Sequence, residues 1–124
     1  YQNFAMKVKE SKEKLLKLVA ELKIKGNKIV GYGASGRANT VLNYCGFGPK
    51  AIDYIVDASP LRQGKFTPGT HIQIVSEEIF RNDKVDYVIL LAWGYANEIM
   101  EKEKTFLEKG GKFIVPLPEV KIVP

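Results

Sequence analysis

Residues 85–93, VDYVILLAW, form an almost unbroken apolar run, and this run limits the possible folds more than any other part of the chain. A strand that is apolar on both faces has to be covered on both faces, which is typical of a parallel sheet between two layers of helices. Shorter apolar runs predict four further strands: KIVGYG (28–33), AIDYIVD (51–57), HIQIVS (71–76) and KFIVPLP (112–118), the last ended by its prolines.

Helical segments alternate with these strands. Residues 6–25 carry leucine and valine at three- and four-residue spacing, and Gly26-Asn27 is typical of a helix C-cap. Further helices are predicted over 36–44, over 77–82 after the N-cap Ser76, and without interruption over 94–109. The alternation predicts one Rossmann-like α/β/α domain over residues 1–124, with a mostly parallel five-stranded sheet in the order 3-2-1-4-5 and an extra amino-terminal helix.

Composition narrows the class of protein. The chain has 124 residues and a net charge of +5, and much of that charge comes from lysines in 7–28, which predict a solvated helix face and no nucleic-acid partner. Cys45 is the only cysteine, so an internal disulfide and a cysteine-rich zinc site are excluded, and a reducing cytoplasm is the expected location. No apolar run approaches 18 residues and no signal-peptide pattern opens the chain, so no membrane partner is expected.

The glycine loop, GYGASG at residues 31–36, fits the pattern G-x-G-x-x-G between a predicted strand and a predicted helix. In that pattern Gly31 permits the turn, Gly33 lets backbone N–H groups approach an anion, and Gly36 lets the helix sit close to the strand. Asp57 ends the next strand 21 residues after Gly36, near the spacing of a carboxylate that accepts ribose hydroxyls. Two interpretations stay open: a phosphate or nucleotide site, to which Arg37 adds a charged contact, or a glycine turn that serves packing only.

The residues alone favour a ligand-binding domain without a catalytic set. No acidic residue directly precedes the glycine loop, as an S-adenosylmethionine site would require, and Tyr95 has no lysine four residues later, as a nicotinamide dehydrogenase would. A single histidine, His71, and the absence of G-x-S-x-G argue against a zinc deaminase and a Ser-His-Asp hydrolase. No catalytic residue and no metal ligand is therefore predicted in this chain.

Four stretches carry a more specific signal: GYGASGRANTVLNYCG (31–46), IDYIVDASPLRQGKFTPGTHIQIVS (52–76), DYVILLAWGYANEI (86–99) and GGKFIVPLPEV (110–120). Together they resemble the carboxy-terminal domain of the sugar C-methyltransferases, S-adenosylmethionine-dependent enzymes that methylate a carbon of a nucleotide-linked deoxysugar, commonly a dTDP-sugar. The likeness runs from about residue 5 to the end of the chain. Arg37 departs from the lysine common in that loop, and Gln73 from a usual proline.

The resemblance implies that this chain is the third domain of a longer methyltransferase. Zinc would bind an absent amino-terminal domain, and S-adenosylmethionine an absent middle domain that contacts this one, so the isolated chain would be inactive. Its role would be to form a wall of the sugar-nucleotide site at the carboxyl ends of the strands. The predicted substrate-binding residues are Gly31, Tyr32, Gly33, Ser35, Gly36, Arg37, Asn39, Asp57 and Ser59.

Other readings remain open from the sequence. The chain is alternatively a free-standing nucleotide or coenzyme A module, or a purely structural interface domain. His71 is predicted to be a loop histidine that bonds a nearby carbonyl, and Trp93 either to stack on a ligand, to contact a neighbouring domain or to pack in the core. Arg62 and Lys65 lie in the long loop, ASPLRQGKFTPGTH (58–71), where they are solvated charges or a phosphate clamp.

Overall fold

The apolar runs of the sequence lie side by side in one sheet. The structure, a computed structural model, describes residues 2–34, 36–116 and 121–123, with side chains for all of these except 2–8, 36, 37 and 121. The strands are β1 (Ile29–Tyr32), β2 (Ile55–Val56), β3 (Ile74–Val75), β4 (Tyr87–Leu90), β5 (Lys112–Val115) and β6 (Lys121–Val123). Their order is β3-β2-β1-β4-β5-β6, and the pairs are parallel except for β5 with β6.

The sixth strand corrects the prediction of a five-stranded sheet. Pro116 ends β5 as expected, because proline has no N–H group to continue the hydrogen-bond ladder. The sheet continues nevertheless, because the chain returns and β6 pairs antiparallel with β5 in the register Phe113↔Val123. The prolines indicate where β5 ends, but they do not indicate that a later segment pairs with it.

The helices follow the predicted order. They are α1 (Gln2–Ile24), α2 (Gly36–Cys45), α3 (Glu77–Arg81), α4 (Ala96–Lys102) and α5 (Lys104–Glu108), with a 3₁₀ turn at Trp93–Tyr95. Two end signals are confirmed. Gly26 has φ 85° and donates its N–H to the Lys23 carbonyl while the Asn27 N–H reaches Leu22, which closes α1. The Ser76 side chain caps α3 by accepting the Ile79 N–H at 3.4 Å.

The single helix predicted over 94–109 is wrong. The chain leaves helical geometry at Glu103, whose φ is −106° and ψ 30°, and this residue separates α4 from α5. Glu103 is buried although it is charged, and its carboxylate contacts side chains on the inner side of the helix. The apolar periodicity of the segment does not reveal this break.

Two apolar cores lie on opposite faces of the sheet, because successive strand residues point to opposite sides. The first core lies under α1 and α2 and contains Leu15, Leu42, Ile29, Ile55 and Ile89. The second core lies under α3, α4 and α5 and contains Phe80, Ile99, Val30, Val88 and Phe113. This confirms the predicted layers of helix, sheet and helix. Within the described residues, no helix is both long enough and apolar enough to cross a membrane.

Lys28 and Asp83 form an ion pair that joins the start of β1 to the turn after α3. Lys28 Nζ lies 2.6 Å from Asp83 Oδ2, and the Tyr54 hydroxyl donates to the same oxygen at 2.9 Å. The lysine hydrogen bond, followed by the tyrosine hydrogen bond, holds the pKa of Asp83 below its ordinary value of 3.8, although partial burial opposes this. Burial, together with the bond to Asp83, raises the pKa of Tyr54.

We expect the Lys28–Asp83 ion pair to make the stability of the folded chain depend on pH in the acidic range. Because the folded pKa of Asp83 is lowered, its contribution to stability is present above pH 3.8 and is lost as the pH falls below that value. Lys28→Met should therefore flatten the decline of the urea midpoint between neutral and strongly acidic pH. Lys84→Met is the control, since only the backbone N–H of Lys84 contacts Asp83. An unchanged acid decline in Lys28→Met would contradict the assignment.

Candidate functional site

The glycine loop turns away from β1 at the carboxyl edge of the sheet, between the ends of β2 and β4. The Gly33 N–H donates to the Val56 carbonyl at 2.7 Å, and the Ala34 N–H donates to Asp57 Oδ2 at 2.8 Å. Both N–H groups are thus occupied by oxygens of the protein itself. An anion bound at this loop has to be held by other donors, or has to displace these contacts.

Packing accounts for two of the three motif glycines. A Cβ atom on Gly31 would lie 2.7 Å from Leu91 Cδ1, and a Cβ atom on Gly33 would lie 2.7 Å from Ala92 Cβ. Gly33 also has φ 96°, in the left-handed region that favours glycine. The chain that follows β4 therefore runs so close to Gly33 that a side chain there is excluded, whereas a side chain at position 31 would require the Leu91 side chain to move.

Asp57 connects the glycine loop to the long loop. Its side chain is only 9% exposed, and its two oxygens are shared among three donors. Oδ2 accepts the Ala34 N–H at 2.8 Å and Arg62 Nη1 at 3.2 Å, while Oδ1 accepts the Ser59 N–H at 2.8 Å. Gln63 Nε2 donates to the Asp57 carbonyl at 2.8 Å. The carboxylate that was predicted to accept ribose hydroxyls therefore binds groups of the protein itself in this structure.

Asn39 lies one turn into α2, and its side-chain carbonyl is unusual. Oδ1 is buried and has no hydrogen-bond donor among the described residues, whereas the Asn39 backbone carbonyl accepts Asn43 Nδ2 at 2.8 Å. Gly36 and Arg37 form the first turn of α2. The predicted site residue Ser35 and the Arg37 side chain lie outside the described part of the chain.

Tyr32 is directed away from the glycine loop. Its ring packs in the core under α3, α4 and α5, and its hydroxyl lies 2.7 Å from Glu103 Oε2 and 2.9 Å from Glu77 Oε2. Arg81 binds Glu103 with two nitrogens, at 3.0 and 2.8 Å, and Lys102 pairs with Glu77. We call these five residues the Glu103 cluster, of which Tyr32 and Glu103 are buried. The structure therefore separates Tyr32 from the other predicted site residues.

The contacts within the Glu103 cluster shift the pKa values of its members. Burial, then hydrogen bonds to Glu103 and Glu77, raise the pKa of the Tyr32 hydroxyl. The hydrogen bonds that Arg81 donates to Glu103 raise the pKa of Arg81. Burial acts to raise the pKa of Glu77, but the contacts with Lys102 and Tyr32 outweigh it and lower that pKa. Sequence reasoning missed Glu103. The available signal was its position four residues after the buried Ile99, where the helical stripe would otherwise be apolar.

The other candidate residues are distributed around the molecule. His71 is exposed in the left-handed region with φ 56°, and its backbone N–H donates to the Thr67 carbonyl at 3.0 Å. Trp93 packs partly buried against the core under α1 and α2, which supports the packing interpretation. Tyr95 is exposed beyond the end of β4, and Lys65 is exposed in the long loop.

Comparison with known proteins identifies the family of this chain. The family described as C-methyltransferase C-terminal domain matches residues 1–118. This chain belongs to that family. A C-methyltransferase from Streptomyces niveus, NovU, is 40% identical to this C-methyltransferase C-terminal domain over 123 residues, which is 99% of the chain and 29% of the relative. The domain thus spans less than a third of the length of that relative.

A zinc site does not fit the described residues of the C-methyltransferase C-terminal domain. Among them, no three histidine, cysteine, aspartate or glutamate side chains come close enough together to hold a metal ion. Cys45 is buried at the end of α2, and burial raises the pKa of its thiol, with Lys12 opposing the effect. The polar groups gathered at the carboxyl edge are instead amides, the Asp57 carboxylate and the Arg62 guanidinium.

Proposed function

We propose that this domain binds the nucleoside diphosphate part of a sugar nucleotide at the carboxyl edge of its sheet. In the proposed enzyme, a carbon of a nucleotide-linked deoxysugar accepts a methyl group from S-adenosylmethionine. The observation that carries the proposal is the Asp57 carboxylate, which joins the glycine loop to the long loop and fixes both at the strand ends. In parallel sheets, ligands bind at this edge, where strand order reverses and helices leave to opposite faces.

The strand order supports this position. The connection after β1 leads to α2 on one face, and the connection after β4 leads to α4 on the other, because the two helices contribute to different cores. The order reverses between β1 and β4. Gly33 and Ala92 mark this reversal, and Asp57 lies beside it at the end of β2. A ligand here has access to the first turn of α2, which carries a partial positive charge.

Because this chain covers only 29% of the length of NovU, we assign the other steps of the reaction to parts of the protein outside this domain. We propose that the methyl donor, the base that deprotonates the carbon beside a keto group, and a zinc site belong to other parts of a longer cytoplasmic polypeptide. S-adenosylmethionine would supply the methyl group there. This domain would hold the substrate in one orientation, which contributes to rate through proximity. The isolated chain would then bind the nucleotide without turning it over.

A chemical-shift titration of the chain tests the proposal. Thymidine diphosphate should shift the amide signals of residues 33–39 and 57–62 in a saturable way, whereas NAD and S-adenosylmethionine should leave them unchanged. Shifts with NAD and none with thymidine diphosphate would overturn the assignment of the ligand.

A purely structural role for the glycine loop is the second candidate, and one observation favours it. Gly33 is required by the close approach of Ala92, a side chain at Gly31 would meet Leu91, and the N–H groups of Gly33 and Ala34 are occupied without any ligand. This candidate requires that none of the three ligands shifts the signals of the loop. The same titration therefore separates the two.

A further inference from the structure

We infer that Arg62 is the residue that binds the diphosphate, and that Asp57 is a positioning residue that aims it. This inference rests on the proposed function and identifies the group that recognises the anion. The need for such a group comes from the glycine loop itself, since the N–H groups of Gly33 and Ala34 already bind oxygens of the protein. A cationic side chain beside the loop can take the part that these two N–H groups do not.

Arg62 has the necessary position. Its Nη1 and the Ala34 N–H meet on the same oxygen, Asp57 Oδ2, so the guanidinium lies directly beside the glycine loop. The Arg62 side chain is 49% exposed, and within the described part of the chain its guanidinium contacts no carboxylate other than Asp57. A guanidinium carries five N–H donors in a planar fork, which matches two phosphate oxygens. Most of that fork is left for a ligand.

The loop that carries Arg62 is held in place. The N–H groups of Arg62 and Gln63 both donate to the Ser59 carbonyl, at 3.1 and 3.2 Å, and the Lys65 N–H donates to the Arg62 carbonyl at 3.2 Å. The Gln63 side chain reaches back to the Asp57 carbonyl. Since this turn is closed before any ligand arrives, little ordering entropy is lost when the ligand binds.

The contacts that Asp57 makes within the protein reduce the repulsion between its charge and a diphosphate. The carboxylate accepts two backbone N–H groups and one guanidinium N–H, and only 9% of the side chain is exposed. A diphosphate approaching from solvent therefore meets the exposed edge of Arg62. Lys65 lies three residues further along and is exposed, but no ion pair fixes its ammonium among the described residues.

The test is a chemical-shift titration of the 124-residue chain with thymidine diphosphate and, separately, with thymidine. Arg62→Gln should weaken thymidine diphosphate binding about tenfold, equivalent to about 1.4 kcal/mol, and leave thymidine binding unchanged. Lys65→Gln is the matched control, because it removes one charge from the same loop, and its affinity should stay within about twofold of the unmodified chain. Arg62→Lys keeps the charge without the fork and should recover only part of the affinity.

Asp57→Asn tests positioning. It keeps the side-chain size and an acceptor for the Ala34 N–H but weakens the hold on Arg62, so thymidine diphosphate binding should fall while thymidine binding persists. This variant and Arg62→Lys also keep the inference testable if Arg62→Gln does not fold. If the unmodified chain binds no thymidine diphosphate, the proposed function is overturned. If it binds and Arg62→Gln or Asp57→Asn binds equally well, the inference alone is overturned and the proposed function stands.

Discussion

Arg81→Met is expected to lower the free energy of unfolding by about 3 kcal/mol. The reason is the carboxylate left behind. Glu103 is 3% exposed and binds two nitrogens of Arg81, so without that arginine only the Tyr32 hydroxyl, among the described side chains, remains to offset a buried charge. Breaking a buried pair from one side costs about 3–5 kcal/mol, and the lower end applies because Arg81 is itself 47% exposed. Urea unfolding at neutral pH measures the effect.

Two further variants separate this explanation from a general loss of contacts. The double variant Arg81→Met with Glu103→Leu removes both charges and should recover most of the stability, since an apolar pair replaces a buried ion pair at little cost. Lys102→Met breaks only the half-exposed pair with Glu77 and should cost about 0.5 kcal/mol. If Arg81→Met lowers the free energy of unfolding no more than Lys102→Met does, the buried charge of Glu103 does not need Arg81 for its stabilisation.

The helix break at Glu103 is a feature of the fold that the local sequence pattern does not predict. The segment from 94 to 109 has helical periodicity, and periodicity predicts one helix. The break occurs because one carboxylate turns inward to reach Arg81 on α3 and Tyr32 on β1, which are 22 and 71 residues away along the chain. Contacts of that separation leave no local pattern. A charged residue on an otherwise apolar stripe is the only trace that they leave in the sequence.

Local signals predicted the rest of the fold well. The apolar runs gave the order of the first five strands, and Gly26 and Ser76 marked helix ends that the structure confirms. The sixth strand was missed because pairing of β6 with β5 depends on the chain reversing direction after Pro116, and three residues, KIV, are too few to signal a strand. Short edge strands owe their conformation to the neighbour they pair with.

The sequence predicted that Asp57 and the glycine loop lie close together, but not how they contact each other. Placing Asp57 and the glycine loop together needed only the rule that parallel strands end at one edge, and the contact between Asp57 and Ala34 agrees with it. The pattern G-x-G-x-x-G is usually read with a ligand in mind, so it does not predict that the aspartate itself caps the loop. It likewise cannot predict that Ala92 excludes a side chain at position 33, because that contact comes from the chain that follows β4.

Gly33→Ala is expected to lower the free energy of unfolding by about 3 kcal/mol, from two separate causes. A φ of 96° strains any residue with a Cβ atom, which costs about 1–2 kcal/mol. The new methyl group would also lie 2.7 Å from Ala92 Cβ and 3.3 Å from the Ala92 backbone nitrogen, and overpacking of this kind costs about 1–3 kcal/mol. Thermal or urea unfolding of the chain gives the total.

Gly26→Ala isolates the first cause. Gly26 has a similar φ of 85°, and a Cβ atom there would meet nothing within 4 Å, so its cost should be about 1 kcal/mol. The second cause is isolated by a double-mutant cycle, in which Ala92→Gly should reduce the cost of Gly33→Ala because it removes the Cβ atom in the way. Equal costs at positions 26 and 33 would mean that packing against β4 does not explain the second glycine of the motif. The positive φ alone would then account for glycine at this position, and the titration with thymidine diphosphate would still be needed to decide whether the loop binds a ligand.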